Sequence, residues 1–245
     1  MTRNIIKKAI VTSLALGMFS IQSNIKLNAA EINPAKNKIC IDPGHQAKGN
    51  MALEEIAPGS STKKPKVAYG TRGVATKKYE YELTLEVGLK LRDSLKSKGY
   101  PVLMVRETHN VNISNKERAL WANRNNCSLY IRLHADAASS SSASGASVLT
   151  SSSKNPYTKK VQKSSDKFSR DILSEYIKAT GFKNRGVIYR DDLTGTNWAS
   201  EVTTTLIEMG FMTNPEEDRK MASPDFQKKM VNGLVNGIEK YLREK

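Results

Sequence analysis

The chain has 245 residues, with 39 Lys or Arg against 24 Asp or Glu, and a formal net charge of +15. It has two cysteines, Cys40 and Cys127, which excludes a small scaffold held together by disulfides. The length suffices for one sizeable domain, and the positive charge favours a polyanionic neighbour.

Residues 1–30 have the layout of a secretory signal peptide. Arg3, Lys7 and Lys8 precede an apolar run at residues 9–21, and small residues at 28–30 supply a cleavage site. The apolar run is shorter than the roughly 20 residues that a membrane span requires. The sequence therefore predicts export, a short linker at residues 31–37 and one folded domain at residues 38–245.

Export changes how the positive charge is interpreted. Removal of residues 1–30 takes away four basic residues and no acid, which lowers the net charge from +15 to +11. For a protein secreted or held at the cell wall, the expected partner is an anionic wall polymer and not nucleic acid. We expect a monomer with no stable membrane span after processing.

From residue 38 onwards, periodicity and turn residues predict alternating strands and helices. The first strand begins at Lys38 and ends in a tight turn at Pro43 and Gly44, and a polar segment follows at residues 46–76. Later strands are predicted at residues 102–105, 128–133, about 148–149, 187–189 and 203–207. Helices are predicted at residues 79–98, 114–125 and 158–179, from residue 215, and from residue 224 to about 242.

This alternation favours an α/β fold: a single three-layer domain with a mostly parallel central sheet flanked by helices. In such a sheet the carboxyl ends of the strands open on one side, where ligands bind. His45, His134 and Glu208 each follow a predicted strand. We therefore expect the fold to bring these three side chains to one rim.

Two histidines at equivalent strand ends favour a shared metal ion. Adjacent strands lie about 4.8 Å apart, so the imidazoles of His45 and His134 can reach one ion. A catalytic zinc typically takes three protein ligands and keeps one open position. The remaining histidine, His109, lies in a polar loop and is expected to be solvated. On the residues alone, the candidates for a third ligand are Glu80, Glu82 and Asp42.

Four segments in this order resemble a known family. They are IDPGH at residues 41–45, Glu80 with Leu85 five positions later, IRLHAD at residues 131–136, and TLIEMGFMTNP at residues 205–215. Together they closely resemble the zinc-dependent N-acetylmuramoyl-L-alanine amidases of the Amidase_3 type, which are bacterial peptidoglycan hydrolases. The resemblance extends from about residue 38 to residue 241 and implies an amidase catalytic domain at residues 38–245.

The resemblance implies that His45, Glu80 and His134 bind one zinc ion per chain and that Glu208 is the catalytic acid/base. It favours Glu80 over Glu82 because Glu80 has the family spacing to Leu85. The implied reaction is hydrolysis of the amide bond between N-acetylmuramic acid and L-alanine, in which Glu208 takes a proton from water and gives it to the leaving amine.

The sequence departs from the family at two positions. Gln46 stands where Gly is frequent, and Asp136 stands where Asn is frequent. Neither change removes an implied ligand, but both bear on substrate contacts. Asp42 is expected either to orient a ligand or to cap the turn.

Basic residues near the rim are candidates for binding the carboxylates of a peptide substrate. The sequence offers Arg72, Arg132 and Arg190 for this role. Asn197 and Trp198, in the loop before the Glu208 strand, are further candidates for sugar or peptide contacts, with a packing role for Trp198 as the alternative.

Cys40 and Cys127 are expected to be small buried residues, with a disulfide as the alternative. Neither cysteine has the paired spacing of a structural zinc site.

Two other functions compete with the amidase. A zinc carboxypeptidase or endopeptidase would use the same kind of metal site but would release shortened stem peptides. A wall-binding protein on an inactive scaffold would lack the catalytic residues, and this chain retains all four.

Overall fold

A computed structural model describes residues 32–245 of the chain. The predicted signal peptide at residues 1–30 lies outside the described residues. None of the helices within residues 32–245 combines the length and the apolar character that a membrane crossing requires.

Eight strands and six α-helices alternate along most of the described chain. The strands are β1 Ile39–Pro43, β2 Asn50–Glu55, β3 Lys63–Val67, β4 Val102–Met104, β5 Leu129–Asp136, β6 Ala146–Thr150, β7 Asn184–Tyr189 and β8 Thr203–Phe211. The helices are α1 Glu80–Ser97, α2 Asn115–Arg124, α3 Gln162–Thr180, α4 Thr194–Asn197, α5 Pro215–Ala222 and α6 Pro224–Arg243. A single 3-10 turn, Pro34–Lys36, precedes β1.

Six of the strands form the central sheet in the order β4-β1-β5-β8-β6-β7. All neighbouring pairs are parallel except β6 and β8, which are antiparallel. The predicted three-layer α/β domain with a mostly parallel sheet is therefore confirmed. Strands β6 and β7 run opposite to the others, so their carboxyl ends lie at the other edge of the sheet.

The two faces of the sheet are covered differently. One face packs Ile41, Ile131 and Ile207 against α1, α3 and α6 in the main hydrophobic core. The other face carries a smaller apolar cluster, which contains Cys40 and Tyr130 and packs against α2 and the segment after α4. This second face is the one that leaves room for a site.

The predicted strands carrying His134 and Glu208 are longer than expected. β5 continues to Asp136 and β8 to Phe211, because His134 and Glu208 still pair with each other across the sheet. Both residues therefore lie within the last part of a strand and not after it.

The polar segment at residues 46–76 contains an antiparallel hairpin that the sequence did not predict. Its strands β2 and β3 pair Glu54 with Lys64, among other residues. The indole Nε1 of Trp198 donates to the carbonyl oxygen of Glu55 at 3.0 Å, and Asn115 donates to Lys66 at 2.9 Å. Trp198 thus has the packing role, since it anchors this hairpin to the domain.

Cys40 and Cys127 form a disulfide, with their Cα atoms 5.8 Å apart. The expectation of two separate buried cysteines was wrong, although both residues are buried. The bond joins β1 to the turn before β5, and these strands are neighbours in the sheet. The separation of 87 positions between the two cysteines hides this proximity in the sequence.

Candidate metal centre

Three side chains converge at the rim of the sheet, after β1, at the start of α1 and in β5. Nε2 of His45, Oε1 of Glu80 and Nδ1 of His134 each lie 3.1 Å from the other two atoms. Within residues 32–245, this is the group of His, Cys, Asp or Glu side chains with the spacing to hold a metal ion. The structure therefore brings together the three predicted ligands.

The turn after β1 aims His45 at this point. Pro43 ends the strand, and His45 has a left-handed backbone with φ of 59°, which is uncommon for a residue with a side chain. Nδ1 of His45 lies 2.8 Å from the carbonyl oxygen of Ala68, just after the hairpin. Donation from Nδ1 to this carbonyl leaves the lone pair of Nε2 directed at the cluster.

Two buried arginines hold the turn in this strained shape. Arg106 donates to the carbonyl oxygens of Pro43 at 2.9 Å and Gly44 at 3.0 Å. Arg118 donates to those of Pro43 and His45, both at 3.0 Å. Sequence reasoning missed both arginines, because nothing in a helix or loop pattern marks a buried guanidinium that binds backbone carbonyls.

Asp42 makes no hydrogen bond to any of the three converging side chains. It accepts hydrogen bonds from Arg118 at 2.6 Å, Tyr130 at 2.7 Å and Arg132 at 2.9 Å. Burial alone would raise the pKa of Asp42, but the two guanidinium groups outweigh burial and hold the pKa well below its usual range. Asp42 is thus the anion that balances the arginines behind the site.

Gln46 also has a structural role. Its side chain is buried and accepts from the backbone N–H of Ile113 at 3.0 Å and from Arg118 at 3.1 Å. Its amide nitrogen donates to Lys48 at 2.9 Å. All of its polar atoms are therefore used inside the protein, and the departure from Gly at this position fastens the start of the hairpin segment.

Glu80 is the first residue of α1, and backbone groups hold its carboxylate in place. Oε2 accepts from the N–H of Thr71 at 2.9 Å, and Oε1 accepts from that of Ala135 at 3.0 Å. Burial would raise the pKa of Glu80, but His45 and His134 lower it below its usual range. Glu82 instead accepts from the backbone N–H of Tyr79 at 2.8 Å and caps the helix.

His134 and His45 differ in how readily their imidazoles take up a proton. Burial lowers the pKa of His134 to about 4, which keeps its imidazole neutral near pH 7. Burial acts in the same direction on His45, but the Glu80 carboxylate outweighs it and raises that pKa. The third histidine, His109, is exposed as predicted and packs edge-on against Tyr81.

The donor set fits a zinc ion. Tetrahedral nitrogen and oxygen ligands at 2.0–2.2 Å from zinc lie about 3.3 Å from one another, close to the observed triangle. Two imidazole nitrogens and one carboxylate are a common catalytic zinc set, with a fourth position left for water or substrate. His45, Glu80 and His134 would hold such an ion.

Glu208 lies on β8 directly opposite His134 on β5. Its Oε2 atom is buried and has no hydrogen-bond partner among the described residues. Burial raises the pKa of Glu208 well above its usual range, and the carboxylates of Glu80 and Asp136 raise it further. A carboxyl group in this environment is suited to accepting and releasing a proton.

The surroundings of Asp136 raise its pKa, whereas those of Asp42 lower its pKa. Its Oδ1 accepts from the backbone N–H of Ala137 at 2.7 Å, and its carbonyl accepts from that of Met212. Burial raises the pKa of Asp136 above its usual range, and the charge of Glu80 adds to this.

A cavity of about 360 Å³ runs along the second face of the sheet, starting at His45, His134 and Glu208. Arg132 lies on its floor, and the hairpin residue Lys64 and Arg190 lie on its walls. Lys64 and Arg190 both pair with Asp192, at 2.6 and 2.7 Å. The cavity is therefore lined by three basic residues, Arg132, Lys64 and Arg190, and by two acids, Glu208 and Asp192.

The remaining candidates for substrate contact lie elsewhere. Arg72 is exposed, donates to the carbonyl of Lys77 at 2.7 Å and stacks over the ring of Tyr79. Asn197 is buried, donates to Asp191 at 3.0 Å and accepts from Asn155 at 2.8 Å. Of the predicted substrate residues, the structure brings Arg132 and Arg190 to the cavity and leaves Arg72 and Asn197 outside it.

Comparison with known proteins supports the resemblance in the motifs. The model of the N-acetylmuramoyl-L-alanine amidase family matches residues 39–240. An N-acetylmuramoyl-L-alanine amidase of Mycobacterium tuberculosis is 29% identical over 223 residues, which cover 88% of this chain and 90% of that protein. A germination-specific N-acetylmuramoyl-L-alanine amidase of Bacillus subtilis is 26% identical over 185 residues, covering 70% and 74%.

Solved structures show the same fold. The crystal structure of an N-acetylmuramyl-L-alanine amidase from Mycobacterium smegmatis superposes with a TM-score of 0.79 at 26% identity, covering 87% of this chain and 100% of that one. The apo form of a Mycobacterium abscessus amidase gives a TM-score of 0.76 at 25% identity, covering 85% and 99%. The chain belongs to the N-acetylmuramoyl-L-alanine amidase family.

Proposed function

We propose that this member of the amidase family is an exported zinc enzyme that hydrolyses the amide bond between N-acetylmuramic acid and L-alanine in peptidoglycan. One observation carries the proposal. A triangle of three metal-ligand atoms lies beside the carboxylate of Glu208, whose buried Oε2 atom has no hydrogen-bond partner within the described chain. An amide is a poor electrophile and water a poor nucleophile, so the reaction needs both a Lewis acid and a proton carrier.

Each residue of the site has a defined task in this reaction. His45, Glu80 and His134 hold the metal, and bound zinc supplies Lewis acidity toward the amide carbonyl and toward water. Glu208 accepts the proton of the attacking water and then delivers it to the nitrogen of the leaving L-alanine. The raised pKa of Glu208 makes its carboxylate a stronger base, which favours the first of these transfers.

The cavity supports an acidic peptide as the leaving group. Arg132 is nearly fully buried, and its Nε and Nη2 atoms bond to Asp42 and Asn115. Its Nη1 atom makes no hydrogen bond to any described residue, on the floor of a cavity that Lys64 and Arg190 also line. A stem-peptide carboxylate would supply the missing acceptor. Arg72 would contact this substrate only outside the cavity, whereas the side chain of Asn197 is buried and reaches no surface.

The disulfide bond and the positive net charge of the chain both support export. A disulfide such as Cys40–Cys127 persists in oxidising compartments and is rare in the cytosol. The basic chain suits an anionic wall polymer as a neighbour. We propose a secreted or wall-associated monomer, with residues 1–30 removed on export.

Mass spectrometry of digested, purified cell wall tests the proposal. The expected products are intact stem peptides with a free L-alanine amino group, and glycan with a free muramic acid carboxyl group. A chelator should abolish their release and added zinc should restore it, with one zinc per chain by metal analysis. Shortened stem peptides would instead identify a carboxypeptidase or endopeptidase, and no product from the zinc-loaded protein would favour a wall-binding role.

A further inference from the structure

Three buried polar atoms without partners lie in one row across the sheet. They are Nε2 of His134, Oε2 of Glu208 and Oγ of Ser147, out of six such atoms in the described part of the chain. His134 pairs with Glu208 between β5 and β8, and Glu208 pairs with Ser147 between β8 and β6. His134 and Glu208 already have roles in the proposed reaction, and Ser147 has none.

We infer that Ser147 is a positioning residue for Glu208, whose Oε2 it holds through one bridging water molecule. This inference rests on the proposed function, because it assigns Glu208 the proton-transfer role. The hydroxyl of Ser147 donates to the water, and the water donates to Oε2. The bridge fixes the rotation of the carboxylate, so that its other oxygen faces the metal centre.

The register places the two groups within reach of one water. Residues directly opposite each other on paired strands point to the same face, with Cβ atoms about 4.5–5.5 Å apart. No direct hydrogen bond joins Ser147 and Glu208, and each leaves one buried oxygen unpaired. Buried polar groups without partners are costly, and internal water usually satisfies them. One water between the two oxygens satisfies both groups.

The surroundings of Ser147 keep this bridge away from bulk solvent. Ser147 is 1% exposed, and its neighbours Ala146 and Val148 are fully buried. The loop before β6 is fastened over this end of the strand, since the N–H of Gly145 donates to Glu217 at 2.7 Å. A water trapped here exchanges slowly and has few alternative partners.

The same strand offers a matched control. Thr150 is also fully buried, and its Oγ1 also lacks a partner. Thr150 is three residues from Ser147, so its side chain lies on the opposite face of the sheet, away from Glu208. Loss of the Thr150 hydroxyl therefore reports the cost of changing a buried hydroxyl on β6 without touching the proposed bridge.

Kinetics of three variants on a soluble N-acetylmuramoyl-peptide test the inference. Ser147→Ala should lower kcat about tenfold, because the bridging water loses its hydrogen bond from Ser147 and no longer holds the Glu208 carboxylate. KM and zinc content should stay within about twofold of wild type. Ser147→Thr keeps a hydroxyl and should recover most of kcat. Thr150→Val should leave kcat and KM unchanged.

Several outcomes would overturn the inference. A wild-type kcat for Ser147→Ala would do so. An equal loss of kcat in Thr150→Val, or a kcat for Ser147→Thr as low as that of Ser147→Ala, would also do so. A crystal structure without a water within about 3.2 Å of both oxygens would also do so. If Glu208→Ala is inactive while Ser147→Ala is normal, the positioning role alone fails. If the wild-type enzyme releases no stem peptide, the proposed function fails.

Discussion

Gly44 leaves no room for a side chain against the ring of His134. A Cβ atom at residue 44 would lie 2.5 Å from Cε1 and 2.6 Å from Nε2 of that imidazole, and 2.6 Å from the carbonyl oxygen of Leu133. The turn that delivers His45 therefore also sets the position of His134. The positions of both histidines of the metal centre therefore depend on having glycine, which has no side chain, at residue 44.

Gly44→Ala should displace His134 and weaken zinc binding. The neighbouring ring and backbone carbonyl cannot both move away, since His134 lies in the centre of a paired strand. We expect zinc content and amidase activity to fall together, by metal analysis and product release. Gly181→Ala is the control, because residue 181 has a left-handed φ of 70° and open space around it. It should lower stability without changing zinc content.

Glu208→Ala should keep zinc and lose nearly all hydrolysis. Glu208 is not one of the three ligand atoms, so the metal centre stays intact. Loss of the general acid/base should reduce kcat roughly 100- to 10,000-fold. Steady-state kinetics on a defined muropeptide, with zinc measured in the same sample, provide the check. Substantial residual turnover would show that another group carries the proton.

Reduction of the Cys40–Cys127 bond should destabilise the fold. The bond joins cysteines 87 positions apart in the sequence, and loss of such a bond typically costs about 2 to 5 kcal/mol. Urea denaturation with and without reductant should show the lower midpoint for the reduced protein. A Cys40→Ala/Cys127→Ala variant should show that lower midpoint in both conditions. Equal midpoints for the oxidised and reduced wild type would contradict the prediction.

The stability of the domain should fall in acid because of Asp42. Its pKa in the folded protein lies below the ordinary value of 3.8, so its ion pairs contribute full stability above that value. The contribution is lost as the pH falls below about 4, towards the folded pKa. Unfolding free energies measured between pH 3 and 7 should show this decline. Asp42→Asn should be less stable at pH 7 by about 3 to 5 kcal/mol and should vary less with pH over that range.

Gly195→Ala should disturb the floor of the cavity without reaching the metal centre. A Cβ atom there would overlap Nη1 and Cζ of Arg132, whose other nitrogens are held by Asp42 and Asn115. We expect a higher KM for peptide-bearing substrates with zinc content unchanged. An unchanged KM would show that Arg132 does not bind the peptide.

The parts of the site that depend on strand ends were predictable. Apolar runs followed by His45, His134 or Glu208 are local signals, and the parallel sheet brings their ends together. Spacing alone left the third ligand open. The family pattern favoured Glu80, and the structure places it there because Thr71 and Ala135 bind its carboxylate.

The parts that depend on long-range polar contacts were not predictable. The hairpin strands are rich in charge, one contains Pro65, and neither alternates between apolar and polar residues. Their pairing relies on contacts such as that between Trp198 and Glu55, 143 residues apart. The buried Arg118 binds four residues of the first turn, 72 to 76 positions away, and no local pattern encodes that.

The reversed direction of β6 and β7 sets the distance along the cavity between Glu208 and Arg190. Arg190 follows β7, and its N–H donates to the carbonyl of Thr150, one residue beyond the Leu149–Leu206 pair. Thr150 therefore lies opposite a point on β8 that is about three residues, or roughly 10 Å, from Glu208. An extended peptide covers this span with about three residues. In the proposed reaction, this distance sets how many stem-peptide residues lie between the cleaved bond and Arg190, which is farther from Glu208 along β8 than Arg132 is.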